Sequence, residues 1–150
     1  MTQLMPTATD ELTEAEKYEL ARTMVTKVVL TFPLPPKELN PNARLHYFPK
    51  AEETKGYRAV IQCLAVLATR WKAYKDTRYR LTETYRIAGK RKRDVRNLFA
   101  AFKAGEDGLV DAGILPGDDD SVLEHGAPKI ERVASKKDEG VLVMIEELAL

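Results

Sequence analysis

Between residues 51 and 72, Tyr57, Val60, Ile61, Leu64, Leu67, Ala68 and Trp71 recur at three- and four-residue spacing. That period gives an amphipathic helix one apolar stripe. On either side the pattern changes. Met24 to Phe32 is rich in Val, Thr and Leu and reads as a strand. Pro33, Pro35 and Pro36 stop it, because proline has no N–H for a sheet ladder. Tyr79 to Ala88 reads as a second strand, ended by Gly89. A strand, a helix and a strand in succession place the chain in the α/β class.

The rest of the chain adds four expectations. Residues 37–50 read as a loop, with Asn40-Pro41-Asn42 as its turn signal. Asn97 to Ala112 reads as a second helix with Leu98, Phe102 and Leu109 inward, although Gly105 and Gly108 each weaken it by about 1 kcal/mol relative to Ala. Gly113, Pro116 and Gly117 make a turn that presents Asp118, Asp119 and Asp120. Lys129 to Ala134 and Val141 to Glu147 read as two closing strands, paired as a hairpin across residues 136–140. The order is β-α-β-α-β-β. Residues 1–22 form a polar N-terminal extension, a short helix or a disordered segment, in which Thr13 and Glu16 have capping-box spacing. The domain proper is expected over 23–150.

Composition excludes several classes. Cys63 is the single cysteine, so an intramolecular disulfide or a cysteine-based zinc site has no material. It falls within the first helix and reads as a packing residue. No apolar run approaches the ~20 residues of a membrane span, and Met1 to Asp10 lacks the pattern of a secretory signal. A cytoplasmic protein is expected. The net charge of +1 conceals segregation: residues 27–103 carry 18 basic and 6 acidic side chains, and residues 104–150 carry 4 and 12. A segment of net +12 gathered on one face would attract a polyanion.

The chemistry concentrates after the second strand. Lys90-Arg91-Lys92-Arg93 leads directly into Asp94, Arg96 and Asn97, and the acidic triplet follows about twenty residues later. Mg²⁺ and Mn²⁺ favour hard oxygen ligands, and a bound metal can activate water and polarise a phosphodiester. Asp94, Asp118, Asp119 and Asp120 are the candidate ligands. Lys103 is the nearest candidate for a fixed cation beside the developing charge. Each piece has a plainer reading. Asp94 is also a good helix N-cap, the aspartate triplet is also ordinary turn chemistry, and the basic run is also a solvated loop. His46 lies in a basic, aromatic loop where it could meet phosphate. His125 follows the acidic triplet by five residues, where it could support a ligand. A surface histidine without a role is the plainer reading of both.

These residues resemble the RusA-type Holliday junction resolvases of phages and prophages, over roughly residues 27–148. The likeness runs through Phe32-Pro33-Leu34-Pro35-Pro36 with Asn40, then Lys55-Gly56-Tyr57-Arg58, then Lys92-Arg93-Asp94-x-x-Asn97, and then Asp107 to Leu115 and the aspartate triplet. The resemblance implies a single small α/β domain with a mixed four-stranded sheet and two main helices. It implies a homodimer that binds four-way DNA junctions and, with Mg²⁺ or Mn²⁺, nicks two opposing strands symmetrically. Asp94, Asp119, Asp120, Lys103 and Asn97 are then the catalytic candidates. Arg44, His46, Lys50, Lys55, Lys90, Arg91, Lys92, Arg93 and Arg96 are the candidates for DNA contact. Two departures from the family pattern matter. Arg96 stands where a second catalytic aspartate is usual, and Ala100 stands where a catalytic lysine is frequent. Lys103 keeps the family's four-residue spacing to Asp107. In an ideal helix from Asn97, however, it lies about 120° off the Asn97 face, so it reaches the site only if that helix starts late or is irregular. A junction-binding protein with weakened or lost cleavage is the alternative.

Overall fold

The computed structural model describes residues 12–17, 27–43 and 47–148. Strand β1 (Lys27–Phe32) leads through a 3₁₀ turn (Lys37–Leu39) into helix α1 (Tyr47–Ala68). Strand β2 (Arg78–Ala88) is followed by two short helices, α2 (Val95–Ala101) and α3 (Lys103–Asp111). Strands β3 (Leu123–His125), β4 (Lys129–Val133) and β5 (Gly140–Leu148) complete the domain. It is a small mixed α/β domain with a mixed sheet of five strands.

The sheet is built on β2. β5 pairs antiparallel with one edge of β2, and β1 lies antiparallel outside β5. On the other edge β3 pairs parallel with residues 79–81, and β4 continues the line parallel to residues 84–88. β2 alternates strictly: Tyr79, Leu81, Glu83, Tyr85 and Ile87 are buried and the residues between them are half-buried. The period of two across a pleated strand puts all five on the core face. Tyr57, Ile61 and Ala65 of α1, with Leu98, Phe102 and Leu109, join this core. Phe102 meets the rings of both Tyr57 and Tyr85 edge-on.

The expected hairpin between the last two strands does not form. β2 lies between β4 and β5 and pairs with both, parallel to one and antiparallel to the other. The 3₁₀ turn Lys136–Asp138 carries the chain from one side of β2 to the other. β3 was not anticipated, and the sheet has five strands where four were expected.

The helices also differ from expectation. α1 runs over 47–68 where 51–72 was expected, so its first turns occupy the segment read as loop. Pro49 falls in the first turn, where a missing N–H costs nothing. The helix ends before Trp71, whose N–H turns back to Thr69 Oγ1 at 3.0 Å. Trp71 instead packs edge-on against Tyr79 and donates from Nε1 to the Ile114 carbonyl. The buried stripe of α1 is narrower than expected: Val60, Leu64 and Leu67 are 45%, 37% and 78% exposed. Cys63 is exposed rather than packed.

The helix expected over 97–112 is two helices broken at Phe102. Leu98, Phe102 and Leu109 are inward, as expected. The two glycines within α3 answer to packing. A Cβ on Gly105 would lie 2.4 Å from the Phe102 ring, and one on Gly108 would lie 2.5 Å from the Arg58 carbonyl of α1. Arg58 then grips Asp111 with two hydrogen bonds, Nε at 2.5 Å and an η-nitrogen at 2.8 Å, which fixes α3 against α1. In the N-terminal extension, Thr13 and Glu16 form the expected capping box, with reciprocal bonds of 3.0 and 3.1 Å. The remaining expectations for residues 1–11, 18–26 and 44–46 lie outside the described residues.

Candidate functional site

Gly89 and the basic run leave β2 as an exposed loop. Arg132 of β4 donates to the Gly89 and Arg91 carbonyls, which ties the loop's backbone to the sheet while Lys90, Arg91, Lys92 and Arg93 point to solvent. Asp94 ends the loop as the N-cap of α2, its Oδ1 accepting the Arg96 N–H at 2.9 Å. The cap explains the local fold, since it satisfies one of the free N–H groups of the first turn. Asp94 and Asn97 line a shallow depression with Lys37, Asn40, Arg91, Lys92 and Arg93. Arg96 is exposed beside it.

Lys103 sits at the other end of α2, just past the break at Phe102. Its ammonium donates to Asp118 Oδ2 at 2.6 Å and to Asp107 Oδ1 at 3.2 Å. The helix is irregular at Phe102, and Lys103 meets the acidic loop, while the depression lined by Asp94 and Asn97 does not include it. Partial burial opposes the lysine's charge, but the bonds to Asp118 and Asp107 outweigh it and raise its pKa. The same bond holds the Asp118 carboxyl below the usual range. Asp119 shapes the turn: its Oδ1 accepts the Ser121 N–H, and its carbonyl accepts from Val122 and Leu123 at the start of β3. Asp120 is exposed.

Lys103 stands between two further depressions. One is lined by Leu39, Pro41, Lys50, Thr54 and Asp107. It continues past Lys50 and Thr54 to Lys55 and Arg58. The other is lined by Phe99, Ala100, Glu106, Asp118 and His125. The structure thus gathers Lys50, Lys55, Lys103, Asp107 and Asp118 along one connected surface. Asp94 and Asn97 line a separate depression at the N-terminal end of α2. Arg44 and His46 lie outside the described residues.

One group lay outside every sequence expectation as a unit. Glu83 of β2, Glu106 of α3 and His125 of β3 bring their ligand atoms within 4.8 Å of one another and could hold a metal ion. It is the one such group of three or more acidic, histidine or cysteine side chains among the described residues, so Asp94 and the aspartate triplet do not form another. Glu83 and Glu106 are 1% and 3% exposed. His125 Nε2 lies 2.9 Å from Glu106 Oε1. The Tyr85 hydroxyl donates to Glu83 Oε1 across a very short contact. Burial, followed by the facing Glu106 carboxyl, pushes the Glu83 carboxyl up to about 9. Burial, followed by the Glu83 charge, also raises the Tyr85 and Tyr57 hydroxyls.

The signal for this group is present in the sequence as two interruptions. Glu83 occupies the core register of Tyr79, Leu81, Tyr85 and Ile87, and Glu106 lies between Phe102 and Leu109 on the inward face of its helix. His125 had no such mark, because its place depends on β3 pairing with β2.

Compared with known proteins, the chain matches no family model and no curated protein.

Proposed function

We propose that the protein is a metal-dependent endonuclease that resolves four-way and related branched DNA junctions. The observation that carries this reading is Lys103 held between Asp107 and Asp118 on a surface edged by basic side chains. A phosphodiester transition state needs a fixed cation and anionic metal ligands side by side, and these residues supply both. Asp118, Asp119 and Asp120 are exposed hard-oxygen donors suited to Mg²⁺ or Mn²⁺, while Asp94 shares no ligand group with them and offers a separate carboxylate at the start of α2. Such an ion supplies an activated water and a polarised phosphate.

The chain's own residues do the rest. Lys103 keeps Asp118 ionised and presents positive charge where the leaving oxygen develops negative charge. Asn97 orients a ligand or water from the α2 face. Lys50, Lys55, Lys90 to Arg93 and Arg96 neutralise DNA phosphates, joined by Arg44 and His46. Contacts of this kind read shape and backbone, not base edges. A homodimer would supply two equivalent sites for a substrate of approximate two-fold symmetry. A cytoplasmic setting fits this reading, and no described helix is long and apolar enough to cross a membrane.

A second reading is a junction-binding protein that does not cut. Asp94 Oδ1 is engaged as a helix cap, and Arg96 occupies the place of a second carboxylate. One assay separates the two. A labelled four-way junction is incubated with the protein, Asp118→Asn or Lys103→Met, with and without Mg²⁺. The nuclease reading expects metal-dependent nicking that falls at least ~100-fold in either variant, the scale of removing one transition-state contact. Junction binding without nicking, in Mg²⁺ and in Mn²⁺, supports the second reading.

A further inference from the structure

Glu83 sits at the centre of β2 on the face that the rest of the strand gives to Tyr79, Leu81, Tyr85 and Ile87. A carboxylate in such a place is expensive unless something compensates its charge. No Lys or Arg among the described residues pairs with Glu83 or Glu106; their side-chain partners are the Tyr85 hydroxyl and the His125 ring. Glu83 Oε2, fully buried, has no hydrogen-bond partner at all. Two buried carboxyl groups face each other with too few donors between them. Only a shared cation, a proton or a metal ion, resolves that arrangement.

The geometry favours a metal that accepts nitrogen. Adjacent ligands around a first-row divalent ion with bonds near ~2.1 Å lie about 3 Å apart. His125 Nε2 and Glu106 Oε1 are separated by 2.9 Å, and the third ligand atom lies within the same 4.8 Å envelope. The position of His125 is set by backbone. The N–H of Gly126 donates to the Leu81 carbonyl at 2.9 Å, and a Cβ there would come 2.5 Å from Thr82 Oγ1. Glycine after the histidine lets the chain lie against β2 without displacing the Thr82 side chain. Phe99 packs edge-on against the imidazole at 5.4 Å between ring centroids and holds its plane. Access comes from the depression lined by Phe99, Lys103, Asp118, Glu106 and His125. That opening leaves coordination positions for water, the arrangement of a site with three protein ligands and an open face.

We propose that Glu83, Glu106 and His125 form a site for one first-row divalent cation, Zn²⁺ or Mn²⁺, distinct from the aspartates of the acidic loop. The imidazole selects against Mg²⁺, which prefers an all-oxygen shell. Tyr85 orients the Glu83 carboxylate as the outer partner of a ligand. Ligand atoms must be free of protons to bind a metal, so metal entry displaces protons from the site. The site does not depend on the nuclease reading.

The test uses the full chain freed of metal by chelation, in millimolar Mg²⁺ to occupy oxygen-only sites. Zn²⁺ and Mn²⁺ are titrated by calorimetry in two buffers of different ionisation heat. The expected result is one equivalent of either ion bound per chain, with proton release near pH 7. Affinity should fall at least ~100-fold in Glu106→Gln and in His125→Ala, the scale set by loss of a ligand or its support, and stay unchanged in Glu53→Gln, an exposed carboxylate of α1 outside both sites. Circular dichroism checks that each variant is folded. Should Glu106→Gln fail to fold, half-exposed His125 decides alone. Absence of binding in the presence of Mg²⁺, or wild-type affinity in His125→Ala, overturns the site. Loss of binding in Asp120→Asn assigns the ion to the acidic loop and overturns it equally. Since binding is read directly, a protein that fails to cut DNA leaves the outcome intact.

Discussion

Glu83, facing Glu106 in the core, makes the fold sensitive to pH. Its pKa is raised to about 9 by burial and the facing Glu106. The native state therefore holds a proton that the unfolded chain gives up near its ordinary carboxyl value. Between those two points the native state binds more protons, so stability falls as pH rises. The contribution is complete below about pH 4.5 and is lost as pH climbs to about 9. In chelator, urea unfolding from pH 5 to 9 should show this decline, and Glu83→Gln should flatten it. An unchanged slope in the variant would remove Glu83 as its source. The residue was visible in the sequence as an acid in an apolar register. Its meaning was not visible, because Glu106 and His125 come to it from a helix and a strand distant in the chain. Lys103 shows the converse. Its four-residue spacing to Asp107 was readable, and the break at Phe102 that lets it meet Asp118 had no proline to announce it.

Among the elements, β2 was the most legible, because strict alternation over its length leaves one way to face a core. The pairing of β4 and β5 was not legible. Turn-forming residues between two short strands suggest a hairpin, but the edges of β2 capture each strand separately. Nor did the apolar stripe of α1 say which of its residues would be covered. Only the flank bearing Tyr57, Ile61 and Ala65 meets the sheet and α3. The contact between α1 and α3 makes two glycines opposite in effect. Gly108→Ala should destabilise by about 1–3 kcal/mol, since its Cβ meets the Arg58 carbonyl at 2.5 Å and backbone must move. Gly56→Ala, with nothing within 4 Å in α1, should stabilise by ~0.5–1 kcal/mol. Denaturant midpoints measured side by side check both signs; equal shifts would mean that helix propensity, not packing, governs the contact.

For the molecule as a whole, the segregated charge was the feature that sequence carried best. The basic segment supplies β2, its exposed loop and Lys103, and the acidic segment supplies the Asp118 turn that receives it. Sequence could not say how far Asp94 would lie from that turn, because α2 and its cap set the separation. The account of a resolvase-like nuclease thus rests on Lys103 and Asp118 more than on Asp94. The most direct measurement maps nicks on a four-way junction labelled separately on each strand, with a linear duplex of the same sequence as reference, in Mg²⁺ and in chelator. The account predicts paired nicks at symmetric positions on two opposing strands, only in metal and only on the junction. Unpaired nicks, equal cutting of linear duplex, or an intact junction in Mg²⁺ and Mn²⁺ would contradict it.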